Sequence, residues 1–452
     1  MKAVILAAGN GERASPYSLT RPKAMFPVAN KPIIYHTISQ LKEIGIKDFV
    51  VVIGKLGERI INYLGNGEKF GVKVSYVTQA TPNGTSKALV AANNELKEDE
   101  FIVVYGDTLT TKRTFIDLIE AFRKSEAMAT IAVKEGDAPH NFGTKTEGNR
   151  VSSIVWRPRE LNFRAYGIIA MKNKFLDYVE RNPGVMLKVP VGIMPPLEGE
   201  LFQSINDAIE NGESITFSRV EDFIVDVDYP WNLIEANVSM LKSMSDELTS
   251  SQIAPSAKIS RSAQINGNVV VGENSRIGDY VYIEGPVWIG KNSIIDRGSI
   301  ILGPSVIGDN TIVSNYSLVQ GVLGNEVRVE NAAEVFGIIF DGVYIVHYSE
   351  IAGIVGERTD IGAATVCGTL RFDDEKTIVE VKGKKLVGEN VAFIGDYCRT
   401  GVNAILMPGV RIGPYSIVGP GVILYEDLEP YKMVLAKQEL VKKDWGPNKY
   451  GW

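Results

Sequence analysis

The residues with the clearest chemical potential lie near the amino end. The segment from Leu6 to Arg13 reads LAAGNGER, and Arg21 and Lys23 follow in TRPKAM. An apolar run that ends in a Gly-x-Gly turn leaves backbone N–H groups open, and the cations behind it add positive charge, a combination suited to phosphate oxygens. Gly9, Gly11 and Ala14 also fit the GxGxxA form of the dinucleotide fingerprint. That fingerprint needs a helix to begin at the turn, and Pro16, Pro22 and Pro27 forbid one there. What remains is an open loop suited to a nucleoside triphosphate, with a strand-end turn carrying solvated cations as the alternative.

The whole chain sets bounds on this chemistry. At about 100 to 200 residues per domain, 452 residues make two or three domains. Lys plus Arg is 48 and Asp plus Glu is 54, a net charge of -6, so no bulk cationic field gathers nucleic acid or an anionic membrane. Two cysteines, Cys367 and Cys398, suit a reducing compartment, and no apolar run reaches the roughly 18 residues of a spanning helix. The expected location is the cytoplasm, with no nucleic-acid and no membrane partner.

The elements that must position the loop alternate in an α/β grammar up to about residue 235. Strands are expected at 2–6, 49–53, 72–77 and 101–105, with helices from Pro32 to Gly45, near 58–64 and after Gly84. Right-handed crossovers would make a mainly parallel sheet covered on both faces, with ligands at the carboxyl ends of its strands. From Ile253 the grammar changes. Every sixth residue from Ile253 through Ile259, Ile265, Val271 and onward to Val319 is Ile or Val. Six steps of a helix scatter over different faces, whereas a coil of three short strands stacks them inside, the signature of a parallel β-helix. The phase is lost between about residues 321 and 344 and breaks again at the charged stretch 371–385, read as a loop projecting from one coil. The expected organisation is a first domain at 1–236, a helical linker at 237–252, a β-helix at 253–425 and a tail at 426–452 opening with an amphipathic helix over 430–443.

LAAGNGER, RPKAMFPVANKPII, QATPNGTSKAL and VYGD together resemble the sugar-phosphate nucleotidylyltransferases, or nucleotide-sugar pyrophosphorylases. With the hexapeptide half added, nearly the whole chain resembles the bifunctional N-acetylglucosamine-1-phosphate uridylyltransferases and their archaeal relatives. The resemblance implies an α/β Rossmann-like nucleotidyltransferase domain followed by a left-handed parallel β-helix of hexapeptide repeats, assembled as a homotrimer. It implies that Leu6, Ala8, Gly9 and Gly11 cradle the nucleotide, Arg13 holds the leaving pyrophosphate and Lys23 steadies the α-phosphate, while Gln79, Gly84 and Thr85 read the base. Gln79 and Thr85 also suit a polar strand end and a helix N-cap. Asp107 follows the FIVVY strand, at the sheet edge where a Mg2+ ligand is wanted, and Asp226 with its neighbour Asp228 in VDVDYPW is the implied second metal position.

The sugar side departs from the family pattern. Gly143 in NFGT, Arg157 and Tyr166 are the implied sugar-phosphate contacts, but Trp156 stands where an acid is usual and Ala165-Tyr166-Gly167 replaces an Asn-x-Gly. The partners that the resemblance implies are a nucleoside triphosphate and a sugar 1-phosphate, of the UDP-N-acetylglucosamine, UDP-glucose or dTDP-glucose type, with mannose 1-phosphate guanylyl transfer as an alternative. In the bifunctional relatives the β-helix transfers an acetyl group from acetyl-CoA with a His base. Here His347 heads the matching segment, with Tyr348 close, Glu350 at the Tyr position, and Asp360 and Thr369 in place of two Asn. Lys382, Lys384 and Lys385 could meet coenzyme A phosphates or form a solvated loop. A non-catalytic scaffold subunit of the same fold and a stand-alone acyltransferase are the remaining alternatives.

Overall fold

The computed structural model describes residues 1–136, 141–156, 163–184, 198–381 and 384–446. The amino-terminal half is built on a nine-stranded sheet. Lys73–Thr78, Asp48–Ile53, Lys2–Ala7 and Glu100–Tyr105 lie side by side in that order, all parallel. Their β-branched runs are apolar on both faces because both are covered: Val4 and Leu6 enter one core, Ala3 and Ile5 the other. The remaining part of the sheet departs from the parallel expectation. Phe163–Lys172 runs antiparallel to Glu100–Tyr105, and Ala129–Glu135 antiparallel to that strand. Arg150–Trp156 and Phe142–Glu147 close the far edge as an antiparallel pair. The parallel strands therefore form one side of a cleft, and the antiparallel extension supplies its opposite wall.

Helix Asn232–Glu247 follows the sheet, starting earlier than the linker expected at 237–252. It is no free tether, since Leu233, Ala236, Met240 and Leu241 are buried between the two halves. Parallel coils begin at Gln252–Ile253. From Val271 to Val319 every sixth-position Ile or Val is at most 2% exposed, and the first coil, where Ile253 is 49% exposed, ends the stack. The small residues at the corners are buried hydroxyls that bond the next coil: Ser275 donates to the Gly290 carbonyl at 2.6 Å, Ser293 to that of Gly308 at 2.7 Å.

The phase lost after Gly321 has a geometric origin. Val313 pairs with Val329, and Val319 with Val335, so these coils are shorter than those in which Ile295 pairs with Val313. One corner is replaced by an extended strand through Gly321, Gly337 and Gly353, which stack in register with φ of 128°, 151° and 136°. A Cβ at Gly337 would lie 1.9 Å from the Gly353 carbonyl oxygen, so only glycine permits the shortcut. The interruption at 371–385 is a β-hairpin of Ile378–Val381 with Lys384–Val387, and the ladder resumes with Ile361 pairing directly to Thr400. The helix expected over 430–443 is absent: Met433–Val434 adds a last strand to the ladder, and the described residues beyond it, to 446, are not helical.

The two halves share a core. Tyr17, fully buried, sits 5.3 Å from the Phe340 ring and donates its hydroxyl to the Ile354 carbonyl at 2.8 Å. Arg21, grouped by sequence with the phosphate-binding cations, instead points at the β-helix. Its guanidinium pairs with Asp396, lies 3.0 Å from Glu357 and stands 4.9 Å from the Phe340 ring centre. Thr20 donates to Asp396 as well, and Arg59 reaches Glu357 at 2.9 Å. Asp396 has no exposed side-chain surface, so these partners take the place of water around its carboxylate. Arg21→Met is expected to destabilise the protein by about 3 to 5 kcal/mol, because it strands a buried carboxylate. Adding Asp396→Asn should recover much of that loss. Denaturant midpoints of the parent and the two variants check both statements, and a single variant within about 0.5 kcal/mol of the parent would show that the pair does not hold the joint.

Candidate active site

The phosphate-type loop leaves the carboxyl end of Lys2–Ala7. Gly11 takes a left-handed φ of 64°, and only a three-residue 3-10 turn, Glu12–Ala14, follows. The prolines thus act as expected, and no phosphate-capping helix forms. A Cβ at Gly9 would meet nothing within 4 Å, so this part of the backbone opens onto free space. Asp107 comes from the adjacent strand, whose Tyr105 is in register with Leu6. Asp226 arrives by a separate route: Ile224–Asp226 pairs antiparallel with Thr108–Thr110, setting Asp226 opposite Thr108, and the Val227 N–H donates to the Asp107 carbonyl at 2.9 Å.

Lys23 is the centre of the charge cluster. Its ammonium lies 2.7 Å from Asp107 and 3.1 Å from Asp228, and Arg13 reaches the same oxygen of Asp228 at 2.6 Å. Burial works against the Lys23 charge, yet Asp107 and Asp228 outweigh it and hold the ammonium above its ordinary value. Arg13 behaves alike: burial opposes, and Asp228, Tyr229 and Asp107 prevail. Asp228 is also pulled out of water, but Lys23 and Arg13 keep it below the usual carboxylate range. Asp226 differs. Burial first, and then Asp107 and Asp228, push it up to about 6 against the opposing Arg164, which lies 2.7 Å away. Thr108 donates to its other oxygen at 2.6 Å.

Arg13, Lys23, Asp107, Asp226 and Asp228 line one cavity of about 660 Å³ together with Leu6, Ala8, Gly9, Gly11, Gln79, Gly84 and Thr85. The structure therefore brings the expected nucleotide and metal residues to a single cleft. Asp228 acts there as a bridge between two cations, while Asp107 and Asp226 are the carboxylates whose chemistry suits a divalent ion. Among the described residues no three acidic, His or Cys groups form a self-sufficient metal cage. Mg2+ commonly takes only one or two carboxylates and leaves the rest of its shell to phosphate and water, so this donor set fits it. Gln79 is held by its amide donating to Asn83 at 2.8 Å and to the Gly84 carbonyl at 3.1 Å. Thr85 does not cap its own helix; its hydroxyl donates to Glu200 at 3.0 Å and accepts from the Leu201 N–H at 2.8 Å.

The sugar-side expectations fare differently. Tyr166 lies in the core on the opposite face of the sheet, because in a strand only every second side chain, here Ala165 and Gly167, reaches the cleft. Gly143 is not in the cavity wall; its neighbour Phe142 is, with ring centres 4.7 Å from Trp156 and 4.8 Å from Phe202. Arg157 lies outside the described residues. Glu198, Glu200 and Tyr229 also line the cleft and were missed. An aromatic directly after the Asp226 and Asp228 pair was the available signal for Tyr229. His347 belongs to none of this: it is exposed on a corner of the β-helix, edge-on to Tyr348 at 5.3 Å.

Comparison with known proteins agrees with the geometry. Residues 2–181 match the nucleotidyl transferase family. The chain is 33% identical, over 98% of both chains, to the Bifunctional protein GlmU of Methanococcus maripaludis strain C7. The chain belongs to the GlmU-type nucleotidyltransferases. It is also 30% identical, over 95% of this chain and 98% of the other, to the bifunctional sugar-1-phosphate nucleotidylyltransferase/acetyltransferase of Sulfurisphaera tokodaii. In its GlmU-type second half, residues 248–339 match the GMPPB C-terminal domain and residues 392–425 the bacterial transferase hexapeptide.

The raised Asp226 carboxyl has a measurable consequence in the metal-free protein. Its folded pKa of about 6 exceeds the ordinary value of 3.8, so the native state holds the proton more tightly than the unfolded chain. This group's contribution to stability is present below the unfolded value and is lost as pH rises through about 6. Asp226→Asn should flatten that loss, gaining up to about 2 kcal/mol at pH 7 relative to pH 4. Urea midpoints of parent and variant at the two pH values test this; parallel profiles would mean that Asp226 titrates as an ordinary carboxylate.

Proposed function

We propose that this nucleotidyltransferase moves a nucleoside monophosphate from a nucleoside triphosphate to a sugar 1-phosphate, releasing pyrophosphate. An oxygen of the sugar phosphate attacks the α-phosphorus, and the bond from that phosphorus to the β-phosphate bridging oxygen breaks. Both reactants are anions, so positioning and charge neutralisation carry most of the catalysis. The observation that supports the reading most directly is Lys23, held between Asp107 and Asp228 at the mouth of the open glycine loop.

In this reading the loop N–H groups and Arg13 hold the departing pyrophosphate, and Lys23 neutralises charge growing on the α-phosphoryl oxygens. Gln79, Gly84 and Thr85 line the base side. The aromatic wall of Phe142, Trp156 and Phe202 offers a flat apolar face to the sugar, and Glu198 and Glu200 offer acceptors to its hydroxyls. Asp107 and Asp226 would hold Mg2+, which when bound would lower the charge on the phosphates. Family resemblance supports a homotrimer built on the β-helix and a cytoplasmic setting.

A matrix of nucleoside triphosphates against sugar 1-phosphates, read by pyrophosphate formation with and without Mg2+, tests the proposal. Release is expected for at least one pair and only with the metal; silence across the panel would return the scaffold alternative. Lys23→Gln and Asp107→Asn should each lower kcat/KM by at least about 100-fold.

A second activity is proposed on the bifunctional names of the relatives: acyl transfer from acetyl-CoA at the exposed His347 and Tyr348. Thiol release from acetyl-CoA in the presence of glucosamine 1-phosphate is expected, and its loss in His347→Ala. No release from the parent protein would remove this second activity.

A further inference from the structure

The hairpin that interrupts the β-helix does not project into solvent. Ile378–Val381 and Lys384–Val387 pair antiparallel, and their alternation sorts the side chains onto two faces. Ile378 and Val387 are exposed, whereas Val379, Val381 and Leu386 form a buried cluster with Tyr229 and Trp231 of the nucleotidyltransferase half. Val381 reaches the wall of the active-site cavity itself.

The contact continues toward the reacting groups. Tyr229 and Trp231 stack with ring centres 4.9 Å apart and planes 4° from parallel. The Arg13 guanidinium stands 5.6 Å from the centre of the Tyr229 ring, within cation–π range. On its other side Arg13 meets Asp228 at 2.6 Å. Arg13 is thus set between a carboxylate and a ring, and the ring is packed by aliphatic side chains from the other half. The base of the hairpin is tied down as well: Thr377 donates to Asn390 at 2.6 Å, Asn390 to the Glu375 carbonyl at 3.0 Å, and Arg411 of a coil to the Glu380 carbonyl at 3.3 Å. Small displacements of a group that meets a transferring phosphate are costly to turnover, so this packing has leverage.

We propose that the hairpin is a positioning element of nucleotidyl transfer: Val379 and Leu386 hold the Tyr229 ring against which Arg13 is set, so that a segment of the β-helix governs capture of the leaving pyrophosphate. This rests on the nucleotidyl-transfer reading above. It also gives the insertion a role other than the coenzyme A contact considered from its lysines.

The test compares the full-length protein with Val379→Ala/Leu386→Ala, neither residue being part of the cavity wall. Calorimetric titration with inorganic pyrophosphate in the presence of Mg2+ gives the affinity, and pyrophosphorolysis of a nucleotide sugar gives the KM for pyrophosphate separately from that for the nucleotide sugar. The alanine pair should weaken pyrophosphate binding about tenfold and raise its KM by a similar factor, with a smaller change in the other KM. Val379→Ile/Leu386→Met should restore both. If the alanine pair does not melt cooperatively, Leu386→Ala alone gives the same comparison with less of the cluster removed. Affinity and KM within twofold of the parent would overturn the proposal, as would a loss that the conservative pair fails to rescue. A parent protein that binds pyrophosphate but releases none in the substrate matrix would refute the activity while leaving the affinity comparison decisive. A parent without affinity for pyrophosphate would overturn both.

Discussion

The segment from Tyr17 to Lys23 is pinned by buried charge in two directions at once. Lys23 enters the cleft between Asp107 and Asp228, while Arg21, two residues earlier, enters the β-helix to meet Asp396 and Glu357. A buried ion left without its partner is costly, so neither end can shift without exposing the other to that cost. Tyr17 adds an apolar anchor against Phe340. The position of the central cation of the candidate active site is therefore a property of both halves of the molecule.

The cluster around Lys23 is close to neutral by composition. Arg13, Lys23 and Arg164 face Asp107, Asp226 and Asp228 in ion pairs of 2.6 to 3.1 Å. Such a site does not by itself present surplus positive charge to a triphosphate. Asp226, raised to about 6 by burial and by its acidic neighbours, marks where additional positive charge is most favourable. This is the electrostatic reason that the proposed reaction would call for a divalent ion, and it follows from the balance of the side chains rather than from a ready-made cage.

The same economy of placement explains the two routes by which carboxylates reach the cleft. Asp107 follows directly after a central parallel strand, whereas Asp226 ends a short strand that pairs outside the sheet and Asp228 lies just beyond it. That strand leads through Tyr229 and Trp231 into the helix Asn232–Glu247, which is buried against the coils. The proposed metal position, the aromatic brace and the interdomain helix are consecutive in the chain. Movement of the β-helix relative to the sheet would consequently be felt at the carboxylates.

Local pattern was enough for the parallel strands, the glycine loop, the failure of a helix at Pro16 and the stacking of Val271 to Val319, because each depends on periodicity or on a residue's own backbone limits. Family likeness added the convergence of Arg13, Lys23, Asp107 and Asp226. Tertiary structure alone decided that Arg21 serves the interface, since two cations two residues apart look alike until their partners, distant in the sequence, are in place. It decided that Tyr166 turns into the core, because the strand's register selects Ala165 and Gly167 for the cleft. The shortened coils, the strand at Met433 and the hairpin packed on Tyr229 also escaped the sequence. Each is set by contact between distant segments, for which a one-dimensional pattern carries no term.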